Sequence, residues 1–124
     1  MAEKGDVIYD RAGQPILKLL ENGRLVDFGG RSIGFIDSGS AYNYKGRHCG
    51  WYKGGILRDR NGDCVGFGEE VMDTGRPLLP TKSLRPLPAS TELEPPRPVT
   101  EASTGLPVES TDWSRYTPVN LFFS

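Results

Sequence analysis

Apolar and polar positions alternate in short bursts over the first half of the chain, and each pair of bursts flanks a turn. Ile8, Leu25, Ala41 and Leu57 stand two residues before Asp10, Asp27, Asn43 and Asp59; Ile16, Ile33, Cys49 and Val65 stand six residues after them. A period of two is the spacing of a half-buried strand, whose successive side chains point to opposite faces. It predicts strands at 7–9, 24–26, 40–42 and 56–58 entering the turns, and at 15–19, 32–36, 48–52 and 64–67 leaving them. Strands of three to five residues fall at the short end of the usual range. Closely spaced glycine and the absence of a 3.6-residue period exclude helix here.

The turns are one segment written four times. Asp10, Asp27, Asn43 and Asp59 each precede a glycine by three residues (Gly13, Gly30, Gly46, Gly62), and these anchors lie 17, 16 and 16 residues apart. An Asp or Asn side chain can accept hydrogen bonds from its own backbone two residues on, and the glycine supplies the positive φ of a three-residue hairpin loop closed by a bulge. In Asp27-Phe28-Gly29-Gly30 the spacing gives that role to Gly30, not Gly29. Continued alternation puts Phe35, Trp51 and Phe67 on the inward face. Between the inward positions lie Gly34, Gly50 and Gly66, where a neighbouring backbone or an aromatic ring would cross closely. The first copy departs from the others, with Leu17 for the glycine and Pro15 two places earlier. A proline cannot donate to a ladder, so Pro15 points to a seam where the ring closes or another chain joins. So short a repeat cannot bury its own apolar face, and the copies must pack on one another in a closed or stacked β module.

With this fourfold Asp/Asn-x-x-Gly-x-x-apolar-Gly-aromatic pattern over residues 5–70, the chain resembles the four-fold beta flower, an uncharacterised bacterial family. The resemblance implies hairpins set like petals round a pseudo-fourfold axis. It brings no activity, ligand or catalytic residue with it.

Composition then divides the chain. Fourteen of sixteen glycines lie between Gly5 and Gly68, and nine of ten prolines at Pro77 or beyond. This gives a hairpin module at 1–74 and a Pro-rich strap at 75–124. Fifteen basic and sixteen acidic side chains give a net charge of -1 with no run of either sign, so a nucleic-acid footprint is not expected. No stretch approaches the ~20 apolar residues of a membrane span. The start, Met1-Ala2-Glu3-Lys4-Gly5-Asp6, lacks an apolar signal region, which points to the cytoplasm and leaves signal-independent export open.

Chemistry-bearing residues are few. Cys49 and Cys64 lie six and five residues after their anchors, so they should face opposite ways and stay reduced, Cys49 buried and Cys64 the more accessible. With one histidine they are too few for a structural zinc site. His48 shares the register of Cys64 and is expected outward, exposed beside its hairpin. A small hydrolase would use His48 with Cys64 or a carboxylate such as Asp63, but no oxyanion site or orienting third group is evident. Asp59, Asn61, Asp63 and Glu70 fit positions 1, 3, 5 and 12 of a calcium loop, yet Cys64 stands where that loop needs glycine. No metal or cofactor is expected. Tyr9, Tyr42, Tyr44 and Trp51 either form a platform for a carbohydrate or peptide or cover a second face beneath the strap.

The strap ends differently from how it begins. Trp113, Tyr116, Pro118, Val119, Leu121, Phe122 and Phe123 make an apolar anchor, expected to bind the hairpin module of a neighbouring subunit rather than its own. The sequence therefore reads as an all-β, non-catalytic binding or assembly module. It would self-associate through its arm, as a homo-oligomer or with an unidentified protein. A His48 hydrolase and an aromatic carbohydrate or peptide reader are the alternatives.

Overall fold

The computed structural model describes residues 5–87, 89–103, 105 and 107–123. Eight strands follow one another as an antiparallel meander: β1 Asp6–Tyr9, β2 Pro15–Leu19, β3 Arg24–Asp27, β4 Ser32–Asp37, β5 Ser40–Tyr42, β6 His48–Lys53, β7 Ile56–Asp59 and β8 Cys64–Phe67. Tyr9 of β1 pairs with Phe67 of β8 and closes the sheet into a barrel. Closure removes the free strand edges that short hairpins would otherwise leave open. The expected strands are present, differing by at most a residue at either end.

Each repeat turn is the bulged hairpin. Gly13, Gly30, Gly46 and Gly62 have φ between 81° and 88°, and Gly29 is not among the positive-φ residues. Their N–H groups donate to the anchor carbonyls at 2.9–3.0 Å. The side chains of Asp10, Asn43 and Asp59 accept the N–H groups two and four residues on; Asp27 accepts the one four residues on.

Beyond each turn the register slips by one residue. Val26 pairs with Ser32 but Leu25 with Gly34, so Ile33 is extra, and the same slip recurs in the other three hairpins. Ile33, Cys49 and Val65 still point inward, with Ile8, Leu17, Leu25, Ala41 and Leu57. The next side chains are turned over. Phe35, Trp51 and Phe67 lie on the outer face, which corrects the expected inward aromatic ring. Counting by twos through a β-bulge puts every later residue on the wrong side. Pro15 is the second correction. It stands opposite Tyr9 beside the bulge of the first hairpin, while the seam lies between β1 and β8. A proline is accommodated there because a bulge interrupts the ladder.

The strap covers the outer face in one circuit over the four turns. The carbonyls of Gly13, Gly30, Gly46 and Gly62 accept the N–H groups of Ser83, Glu92, Glu101 and Ser110 at 2.8, 2.9, 2.8 and 3.2 Å, nine strap residues from stop to stop. The strap then runs beside β8, where Cys64 N–H donates to the Asp112 carbonyl and Ser114 N–H to the Cys64 carbonyl. A 3-10 turn, Asn120–Phe123, puts Leu121 and Phe122 into the barrel's interior cluster. A Cβ on Gly34 would lie 2.6 Å from the Phe122 ring, so glycine there makes room for the plug. The anchor thus fills the barrel of its own chain, correcting the expectation of a neighbouring subunit. A segment tethered at four stops reaches its own barrel at an effective concentration that a second chain cannot match.

Candidate functional site

The outer face brings the sequence candidates beneath the strap. Tyr9 stacks on Phe67 at 5.5 Å between centroids, Tyr42 on Phe35 at 5.6 Å, and His48 meets Trp51 edge-on at 4.8 Å. Tyr9, Tyr42 and Trp51 are buried. Tyr44 is half-buried and donates its hydroxyl to Glu94 of the strap at 2.7 Å. Of the two arrangements open to these rings, the structure has the covered one, a layer beneath the chain's own strap rather than an exposed platform. At the other end of the strap, Trp113 packs on the Tyr9–Phe67 cluster and Tyr116 on the barrel interior. Phe122 is buried, while Phe123 remains 69% exposed.

His48 is 1% exposed, not solvated as its position beside a hairpin suggested. Its backbone N–H donates to Glu101 Oε1 at 2.7 Å, its Nε2 lies 3.5 Å from Ser103 Oγ, and its Nδ1 has no hydrogen-bond partner. Burial first, and the charge of Arg60 second, hold its pKa below the ordinary histidine value. The ring is neutral at pH 7 and closed off from a substrate proton.

The cysteines do face opposite ways, and both are free. Burial pushes the Cys49 thiol up to about 11 and the Cys64 thiol up to about 12, the reverse of what a nucleophilic thiolate needs. Cys64, expected to be the more accessible, is fully buried, since the strap lies against it as a parallel bridge to Trp113. His48, Cys64 and Asp63 are not brought together. His48 packs on Tyr42 and Trp51, Cys64 lies among Val7, Tyr9, Ile56 and Phe67, and Asp63 serves the turn through its backbone. Asp59 is taken up by the fold: Oδ1 accepts the N–H groups of Asn61 and Asp63, and Oδ2 accepts Ser114 Oγ–H at 2.5 Å. Among the described residues no cluster of three or more His, Cys, Asp or Glu is placed to hold a metal.

Two arginines were missed by the apolar alternation. Arg58 is buried and donates from Nη1 to the carbonyls of Gly62 and Ser110 at 2.8 and 3.0 Å, and from Nη2 to Asp73 Oδ2 at 3.0 Å and to the Gly75 carbonyl. Arg24 donates to Ser32 Oγ and to the Glu92 carbonyl. Each clamps the strap at one stop. Two acids of the strap reach back to the barrel in turn, since the Glu92 and Glu101 carboxylates accept the N–H groups of Ser32 and His48 at 2.8 and 2.7 Å. In the first copy the equivalent residue is Pro15, with no N–H to offer, and the strap has Ser83 at that stop. The signal was present as a nine-residue spacing, Ser83, Glu92, Glu101 and Ser110, hidden in a proline-rich tract.

Among the residues that the strap exposes to solvent are large apolar ones. Leu78, Leu84, Leu87, Leu93, Val99 and Val108 are 89–96% exposed, and every interval between them is a multiple of three residues. Three residues make one turn of an extended polyproline-type chain, a spacing that would set such side chains along one edge. Beside the strap a cleft of about 750 Å³ opens between Tyr44, Lys45, Arg47, Val99, Phe122 and Phe123.

Four petals, a strap stopping once at each and a plug from the same chain make the fourfold plan complete, and the family model described as 4-fold beta flower protein matches residues 6–123. The chain belongs to this family. The match extends beyond residues 5–70, where the repeat is visible, and takes in the strap and plug of the beta flower as well as its petals. Neither a curated protein nor a solved structure matches the chain.

Proposed function

We propose that this beta flower is a non-catalytic binding and assembly module that self-associates through the outward edge of its strap. The observation that carries this is the set of six large apolar side chains along the strap that stand almost wholly in water. Single exposed leucines need no explanation, but six along one segment, spaced at multiples of three residues, mark an interaction surface. Covering one such side chain contributes about 1.5–3 kcal/mol. Three or four covered together give about 4.5–12 kcal/mol, of the same order as the ~4–15 kcal/mol lost on association. Burial of His48 and of both thiols supports the non-catalytic side of the proposal.

Sedimentation velocity over a concentration series tests it. The parent should exceed its 13.6 kDa monomer mass. A variant carrying Leu84→Ser, Leu87→Ser, Leu93→Ser and Val99→Ser should remain monomeric with a nearly unchanged melting temperature. A parent that stays monomeric throughout the series would overturn self-association.

A further inference from the structure

We infer that two copies of this chain associate by a two-fold exchange, in which Leu93 of each enters the cleft between Tyr44, Val99 and Phe123 of the other. The inference rests on the self-association proposed above and names its contact.

Leu93 and the cleft are neighbours in one molecule. Glu94, next to Leu93, accepts the Tyr44 hydroxyl, and Pro95 lines the cleft. Yet Leu93 does not lie in it, being 94% exposed. Nor can it swing in, because both flanks are tied. Glu92 donates its N–H to Gly30, accepts Ser32 N–H on its carboxylate and Arg24 on its carbonyl. Glu94 holds Tyr44 and Arg97. A protruding apolar side chain beside a cleft whose lining includes Ile33, Val99, Phe122 and Phe123 makes a self-complementary patch. A two-fold rotation places each leucine over the partner's cleft and leaves no unmatched surface to propagate a chain.

Charge favours the same occupant. The charged residues lining the cleft are Lys45, Arg47 and Glu101, cations outnumbering the one acid, whereas Leu93 stands between Glu92 and Glu94. The rotation brings acids towards cations, and a net charge of -1 leaves little repulsion between copies. Val99 at 96% exposure and Phe123 at 69% would both gain cover. Leu78, Leu84 and Leu87 belong to the earlier part of the strap, around the Gly13 stop, and lie outside this patch.

Sedimentation equilibrium on the full chain tests the contact, with circular dichroism melts to establish that each variant folds. The parent should be a dimer. Leu93→Asp and Phe123→Ser should each weaken it by about tenfold or more, as truncating an interface anchor does. Leu84→Asp, equally exposed at an earlier stop, should leave it within about threefold. A mixture of the Leu93→Asp and Phe123→Ser proteins keeps one intact contact and should form more dimer than either alone. Should Phe123→Ser fold poorly, Val99→Asp perturbs the same cleft from an exposed position. A parent dimer that survives Leu93→Asp but not Leu84→Asp would overturn this contact while self-association stands. A monomeric parent would overturn both. Higher oligomers growing without limit would overturn two-fold closure.

Discussion

Glycine at the repeat turns answers two demands at once. Gly30 has φ of 88°, and a Cβ there would lie 2.0 Å from the carbonyl oxygen of Ser90 in the strap. Gly29, its neighbour, has neither constraint, since its Cβ would meet only Asp27 Oδ1 at 3.3 Å. Gly30→Ala should therefore cost about 1–3 kcal/mol, and Gly29→Ala about 0.5 kcal/mol or less; equal thermal melts for the two would show the turn assignment to be mistaken. His48 sets a pH dependence. Its folded-state pKa is held below the ordinary value of 6.5, so the unfolded chain takes up the proton first as pH falls. The stability associated with the neutral ring is complete above that ordinary value, then declines as pH drops from it towards the lower folded-state pKa. His48→Phe keeps an aromatic ring against Trp51 and should flatten the fall in melting temperature between about pH 7 and pH 5. An unchanged slope would remove His48 as its source. At this scale the turn residues were legible because their chemistry is local. The side of the sheet taken by Phe35, Trp51 and Phe67 was not, because a bulge leaves no mark in an alternation counted by twos.

The strap is the element whose composition and structure differ most in what they convey. Proline excludes helix and central strand and so declares an extended segment, and the aromatic run at 113–123 declares an anchor. Neither says where the chain lies. That information sits in the nine-residue spacing of the stops and in two arginines, Arg24 and Arg58, whose partners include backbone carbonyls far along the chain. The strap's cover accounts for the burial of Cys64, whose N–H and carbonyl both bond to it. In a chain ending before Thr111 these bonds and Trp113 are gone, and Cys64 should react with a thiol reagent much faster than in the parent. Cys49 faces the interior and should follow the plug: Phe122→Ala should expose it and destabilise the protein by about 3–5 kcal/mol, the range for a buried phenylalanine. Equal labelling of Cys64 in the truncated and full chains would show that something other than the strap protects it.

At the scale of the whole molecule, petals and strap each complete the other. The barrel has two apolar faces, an interior around Leu17, Leu25 and Leu57 and an exterior around Tyr9, Ile56 and Phe67, and eight short strands can cover only the first by closing. The strap supplies the second cover, the plug for the interior and the carbonyl partners for Arg58. Chain order alone would place a boundary near residue 74, because glycine gives way to proline there. The bonding across that point argues for a single cooperative unit instead. The full chain should unfold in one calorimetric transition with equal calorimetric and van't Hoff enthalpies. A chain ending at Asp73 keeps all eight strands but leaves Arg58 without Ser110 and Gly75 and the outer aromatic layer in water. It should lose the sharp melt and bind an apolar dye, as a loosely packed barrel does. If that shortened chain instead melts cooperatively near the parent temperature, the petals stand alone and the strap is a separate attachment. The stops at Gly13, Gly30, Gly46 and Gly62 would then serve to display its apolar edge rather than to hold the barrel together.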